Sequence, residues 1–277
     1  MLHDERNYLT KDNLSIYFQV WKPDISPRGV IQVVHGFAEH SNRYQNVINH
    51  LVPSGYIIYI ADLRGHGQSE GIRSYVKTFD DYIDDQYLLT EIIKEEYPNI
   101  PLFLLGHSLG CSISTFLILK YADKFNGLIL SGTGTREGGG APGFLKKLSG
   151  VLARLFPKFK IKAGLDPKVL SRDHTVVKEY SEDPKIFSYV TMSLGHQILS
   201  KTSEAYLKSP AIKLPTLVIS GAEDKLMLDV KEVFENIGSP DKTLKLYEGC
   251  YHEMFNELNP ERTQALNDLL AWLNKRT

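Results

Sequence analysis

The sequence holds 277 residues, of which 42% are hydrophobic and 23% charged, with a formal net charge of −1. That suffices for one large domain or two modest ones, and the near-neutral balance gives no global argument for nucleic acid as a partner. No run approaches the roughly 18 consecutive apolar residues of a membrane span, the acid-bearing start MLHDERNYLTKDN is unlike a secretory signal, and two cysteines are too few for a disulfide framework, so a cytoplasmic, reducing setting is expected.

Short β-rich runs alternate with helical patterns along the chain. Residues 14–21 (LSIYFQVW) lie only a few turn residues before 29–35 (GVIQVVH), so the first run is expected as an antiparallel edge strand. A helical pattern over 41–52 leads to a strand at 56–62, a helix at 79–97, a strand at 101–106, a helix at 108–121 and a strand at 127–132. Several of these strands are continuous apolar runs, as parallel strands covered on both faces require. The rhythm then breaks. From about Thr135 to Ser209 there is ample apolar content but no convincing strand, and roughly 75 residues are too many for a loop in a compact domain. The pattern resumes with strands at 215–221 and 243–249 and helices at 229–237 and 260–275. The expected class is therefore α/β, a mostly parallel sheet with helices on both faces. Its core comprises residues 1–134 and 210–277, and 135–209 form an inserted helical lid. Ligands of open α/β sheets bind beyond the carboxyl ends of the strands, so an insertion springing from that edge would roof the crevice.

The stretch LFLLGHSLGCSIS (102–114) places Ser108 between Gly106 and Gly110, where a buried strand gives way to a helix. A sharp turn there crowds the backbone, glycines relieve the crowding, and the serine hydroxyl is left exposed as a nucleophile. A serine needs a base, an orienting acid and an oxyanion site, and in this arrangement the partners follow in the order Ser, Asp or Glu, His. Of nine histidines, His252 alone follows residue 196, in the loop GCYHEMFNE after the last strand. The preceding strand ends in SGAEDKL, which offers Glu223 and Asp224 as the acid. Backbone N–H donors for an oxyanion are expected from Leu109, at a helix start whose dipole favours negative charge, and from Phe37 in the loop VVHGFAEHS (33–41). RGHGQSEG (64–71) lacks the Lys-Ser/Thr of a phosphate loop, so Arg64, His66 and Ser69 are read as scaffolding. No metal or cofactor motif is present.

HGFAEHSNRY (35–44), DLRGHGQSEG (62–71), GHSLGCSI (106–113), LSRDHTVVKEYSEDP (170–184) and DKTLKLYEGCYHE (241–253) together resemble the monoacylglycerol lipases and their lysophospholipase-like relatives in the α/β-hydrolase superfamily. The resemblance runs from about residue 14 to 275. It implies the α/β-hydrolase fold, Ser108 as nucleophile, Asp224 rather than Glu223 as acid, His252 as base, and Phe37 and Leu109 as oxyanion donors. It also implies that Glu39 and Arg43 lie at the polar end of the substrate site. The chain departs from the mammalian pattern at Phe255, where that group has a second histidine, and at Phe37, where alanine is common; both departures bear on the alcohol rather than the reaction. The implied substrate is a monoacylglycerol or a similar acyl ester. A lysophospholipase or a broad carboxylesterase would use the same triad.

Residues 143–164 read GFLKKLSGVLARLFPKFKIKAG. Phe144, Leu145, Leu148, Val151, Leu152, Leu155 and Phe156 recur at helical spacing as one apolar face, while Lys146, Lys147, Arg154, Lys158, Lys160 and Lys162 supply positive charge with no acid nearby. Such a helix suits a peripheral contact with an anionic membrane through residues 143–162, or packs on the core as a lid. Gly138, Gly139 and Gly140 before it would let it swing.

Overall fold

The computed structural model of the chain describes residues 1–137 and 143–277, with side chains at 1–135 and 149–277. The expectations for Gly138, Gly139 and Gly140, and for the side chains of Phe144, Leu145, Lys146, Lys147 and Leu148, lie outside the described residues.

The chain opens with an antiparallel pair, β1 (Leu2–Leu9) and β2 (Ser15–Lys22). The expected alternation follows: β3 (Gly29–Val34), α1 (Gln45–Leu51), β4 (Tyr56–Ala61), α2 (Phe79–Glu96), β5 (Leu102–His107), α3 (Leu109–Tyr121) and β6 (Gly127–Ser131). Next come β7 (Arg136–Glu137), α4 (Gly143–Leu155), β8 (Lys160–Lys162), α5 (His174–Glu182), β9 (Tyr189–Thr191) and α6 (Met192–Lys208). β10 (Thr216–Gly221), β11 (Met227–Leu228), α7 (Val230–Asn236), β12 (Lys242–Tyr247) and α8 (Glu261–Asn274) complete the order. The main sheet runs β1-β2-β4-β3-β5-β6-β10-β12. Every pairing from β4 across to β12 is parallel, and β2 is antiparallel to both of its neighbours.

Successive side chains of a strand point to opposite faces, and here both faces are covered. Val30, Val34, Ile57, Tyr59, Leu102 and Leu104 join the core beneath α2 and α3. Ile31, Val33, Ile58, Ile60, Phe103 and Leu105 join the core beneath α1 and α8. The continuous apolar runs are thus two interleaved hydrophobic faces. α2 starts at a capping box in which Thr78 and Asp81 satisfy each other's backbone N–H groups.

Two strand expectations change. β2 is antiparallel as expected, but its partners are β1 and β4 rather than β3, and β1 is the edge. β1 is mostly exposed on both faces; only Tyr8 is buried, donating its hydroxyl to the Asp85 carbonyl at 2.8 Å. The segment between β6 and β10 also contains short strands: β7 pairs with β11 and β8 with β9. Within it α4 packs on α6, and α6 packs on α3. Thr191 and Ser193 donate to the carbonyls of Ser74 and Val76. Arg172 reaches Glu257 and Glu261, both at 3.0 Å. These bonds tie the segment to the sheet's carboxyl edge.

Candidate active site

β5 is buried at every residue and delivers the chain to Ser108, whose φ of 53° and ψ of −119° are a strained conformation for a side-chain-bearing residue. Two bonds hold the turn: Ser108 N–H donates to the Ser131 carbonyl at 3.0 Å, and the Ser108 carbonyl accepts from Cys111 N–H at 2.8 Å. Both flanking glycines are required by space. A Cβ on Gly106 would collide with the Gly110 carbonyl, and one on Gly110 with the Val34 carbonyl. Close packing of helix and strand at this point has no room for a methyl group.

His252, in the loop after β12, is 2% exposed. Its Nδ1 lies 2.7 Å from Asp224 Oδ2, while Asp224 Oδ1 accepts from Leu226 N–H at 2.8 Å and Met227 N–H at 3.0 Å. Burial opposes the Asp224 charge, but His252 and these donors outweigh it and hold the carboxyl below its ordinary range. An ionised Asp224 only accepts, so the imidazole proton sits on Nδ1 and Nε2 is the acceptor. For His252 burial again works against charge, and Asp224 outweighs it, raising the imidazole above its ordinary value. Glu223 is exposed and is not the imidazole's partner. His107 packs 4.8 Å from His252, ring to ring, and donates through Nδ1 to the Ser131 carbonyl; burial, then the His252 charge, push it toward the neutral form.

The loop after β3 is fixed by His35, which donates from Nδ1 to the Gly36 carbonyl and accepts at Nε2 from Leu63 N–H, both at 2.8 Å. Phe37 precedes Ala38, which takes a positive φ of 63°. The Phe37 ring meets His66 and Phe187 edge-on. Leu109 occupies the first helical position of α3, where an N–H has no acceptor within the helix. Glu39 folds back on the same loop and accepts from Gly36 N–H and, at 2.8 Å, from the Tyr44 hydroxyl. Arg43 donates to Glu39 at 3.2 Å and, in bidentate fashion, to Glu253 at 2.7 and 2.8 Å, under the ring of Tyr180. The sequence reading missed Glu253, Tyr44 and Tyr180; no local pattern links Arg43 to an acid 210 positions away.

The 64–71 loop is internally committed. Arg64 binds Asp85 at 2.6 and 2.7 Å and Asp12 at 3.0 Å, Ser69 donates to the Asp62 carbonyl at 2.6 Å, and His66 is fully buried. Both cysteines are buried, and burial pushes the thiol of Cys111 up to about 12 and that of Cys250 to about 11. No cluster of three metal-ligating side chains occurs among the described residues.

Ser108, Leu109, Phe37, Glu39, Arg43 and His252 all line one cavity of about 370 Å³. Its other walls come from the segment between β6 and β10, including Ile161, Leu165, Leu170, Val190, Met192, Ile198 and Leu199, and from Leu226 and Met227. The volume and the apolar walls with a few convergent polar groups are those of a small-molecule site. Past the middle of α4 the apolar side chains divide. Leu152 is half-buried, but Val151, Leu155, Phe156, Phe159 and Ile161 are 44–63% exposed beside the exposed Arg154, Lys158, Lys160 and Lys162. Of the two destinations expected for the apolar face, packing on the core is therefore not what Val151, Leu155 and Phe156 show. No helix among the described residues is long and apolar enough to cross a membrane.

A family model described as serine aminopeptidase, S33, matches residues 25–259. The chain is 30% identical to a monoacylglycerol lipase of Mycolicibacterium smegmatis over 97% of this chain and 96% of that one. It is 32% identical to a monoglyceride lipase of Homo sapiens, covering 99% and 91%. The crystal structure of Paleococcus ferrophilus monoacylglycerol lipase superposes with a TM-score of 0.85 at 30% identity, over 95% of this chain and 99% of that one.

Proposed function

The chain belongs to the serine aminopeptidase S33 group of α/β-hydrolases, within the monoacylglycerol lipase family, and on that footing we propose that it cleaves monoacylglycerols to fatty acid and glycerol through an acyl-enzyme. It is a carboxylic ester hydrolase. The observation that carries the finer reading is Ser108 strained at a strand-to-helix elbow in the same apolar cavity as a His252 held by Asp224.

In this reading Ser108 Oγ attacks the ester carbonyl carbon while His252 Nε2 takes its proton. Phe37 and Leu109 N–H groups hold the oxyanion, and the tetrahedral intermediate collapses as His252 protonates the departing glycerol oxygen. Water repeats the sequence on the acyl-enzyme, its proton passing to His252 and then to Ser108 as the fatty acid leaves. Asp224 fixes the Nδ1–H tautomer and supports the imidazolium. Glu39 and Arg43 form the polar end of the cavity beside the leaving alcohol, and Glu39 also holds the Gly36 backbone. The apolar walls bind the acyl chain, with about 0.8 kcal/mol available for each CH₂ removed from water.

Residues 135–209 act as the lid, and residues 143–162 are its contact with a lipid surface. The exposed aromatic and aliphatic residues from Val151 to Ile161, interleaved with Arg154, Lys158 and Lys160, are the pattern of an interfacial anchor. A lysophospholipase reading is weaker because Arg43, the cation of the polar end, is enclosed by Glu39 and Glu253 and has no uncompensated charge for a phosphate. Fatty-acid release should be measured from monoacyl-, diacyl- and triacylglycerols and lysophospholipids of one acyl length. The highest kcat/KM is expected on the monoacylglycerol; a preference for the lysophospholipid, or for short soluble esters, would overturn the choice of substrate.

A further inference from the structure

We propose that His196 is a polar anchor in the acyl part of the cavity, and that the enzyme favours acyl esters whose chain carries a mid-chain hydroxyl over those with a plain chain. This rests on the monoacylglycerol reading and adds a substrate class to it.

α6 turns Met192, Gly195, His196, Leu199 and Thr202 toward the cavity at helical spacing. Two of these carry polar side chains. Thr202 accepts from Ser112 of α3 at 3.5 Å. His196 is half-buried and has one nitrogen engaged, with Nδ1 3.0 Å from Ser149 Oγ of α4; no hydrogen bond joins its Nε2 to another described residue. Gly150 leaves the ring its place, since a Cβ there would stand 3.1 Å from His196 Cε1. The imidazole is therefore held against α4 by its neighbours, with one nitrogen uncommitted beside apolar walls.

An unpaired polar atom in such a wall weakens the binding of a purely hydrocarbon ligand and strengthens the binding of one that completes the hydrogen bond. A hydroxyl suits either tautomer of His196, because it both donates and accepts. The position is mid-chain rather than at the ester. Thr202 touches the first turn of α3 near Ser108, and His196 lies six residues earlier, about 9 Å further along α6 at 1.5 Å per residue.

Monoolein and monoricinolein, which differ by one chain hydroxyl, should be compared as substrates of the wild type, His196→Leu and His196→Gln, with hydrolysis of a soluble short-chain ester as the check on folding. The wild-type ratio of kcat/KM, monoricinolein over monoolein, should fall about tenfold in His196→Leu, as expected for one lost hydrogen bond, and be largely kept by His196→Gln. An unchanged ratio in a His196→Leu enzyme that still hydrolyses the short ester would overturn the role of His196 alone. A wild type inert on both monoacylglycerols yet active on the short ester would overturn the monoacylglycerol reading and this inference with it.

Discussion

The pair Asp224–His252 carries the most specific prediction at the scale of single residues. As the proposed base, His252 works only when neutral, so kcat/KM should fall as pH drops through its pKa, and the Asp224 charge places that limb above the ordinary histidine value. Asp224→Asn removes the charge and leaves burial, which disfavours the imidazolium. The acidic limb should then move to lower pH, with kcat down by about 10⁴ from loss of the tautomer and of support for the imidazolium. A pH–rate profile of both enzymes, with Glu223→Gln alongside as a mild variant, measures this; a limb that stays in place in Asp224→Asn would remove Asp224 from the mechanism. Residue spacing alone left Glu223 and Asp224 open, because which of two adjacent carboxylates turns inward depends on the Leu226 and Met227 N–H groups that receive it. Resemblance to the family chose between them, but neither route revealed Glu253, whose partner is distant in sequence.

At the scale of elements, the apolar runs of β3, β4 and β5 were legible because their two faces are buried independently. β1 was not, since a polar edge strand with one buried side chain has no period to detect, and β7, β8 and β9 are too short to carry one. The amphipathic character of α4 was visible, yet sequence periodicity does not say which apolar residues face outward. Exposed Val151, Leu155 and Phe156 supply that information and favour a lipid-facing surface. Each Lys or Arg near an anionic bilayer contributes about 1 kcal/mol. Arg154→Glu with Lys158→Glu should therefore weaken binding to vesicles rich in anionic lipid by roughly tenfold or more, most strongly at low salt, with short-ester hydrolysis nearly intact. Vesicle sedimentation equal to wild type would show that these charges face solvent only.

On the scale of the whole molecule, one sheet edge gathers the residues of the proposed chemistry: Ser108 after β5, the loop after β3, Asp224 after β10 and His252 after β12. The order of these residues along the chain was readable in advance because a parallel sheet delivers successive loops to the same edge. That the connection between β6 and β10 is long was plain in the sequence, whereas the place of His196 in the cavity wall emerges only once α4 and α6 are packed. Ser108 is where all of this converges. The most direct test is the initial rate of fatty-acid release from monoolein by wild type and Ser108→Ala, at equal concentration and with matched thermal melting. Turnover by the wild type and a loss on the order of 10⁴ or more in the variant are predicted, since nucleophile, base and acid act as one unit. Near-equal rates in the two proteins would contradict the account.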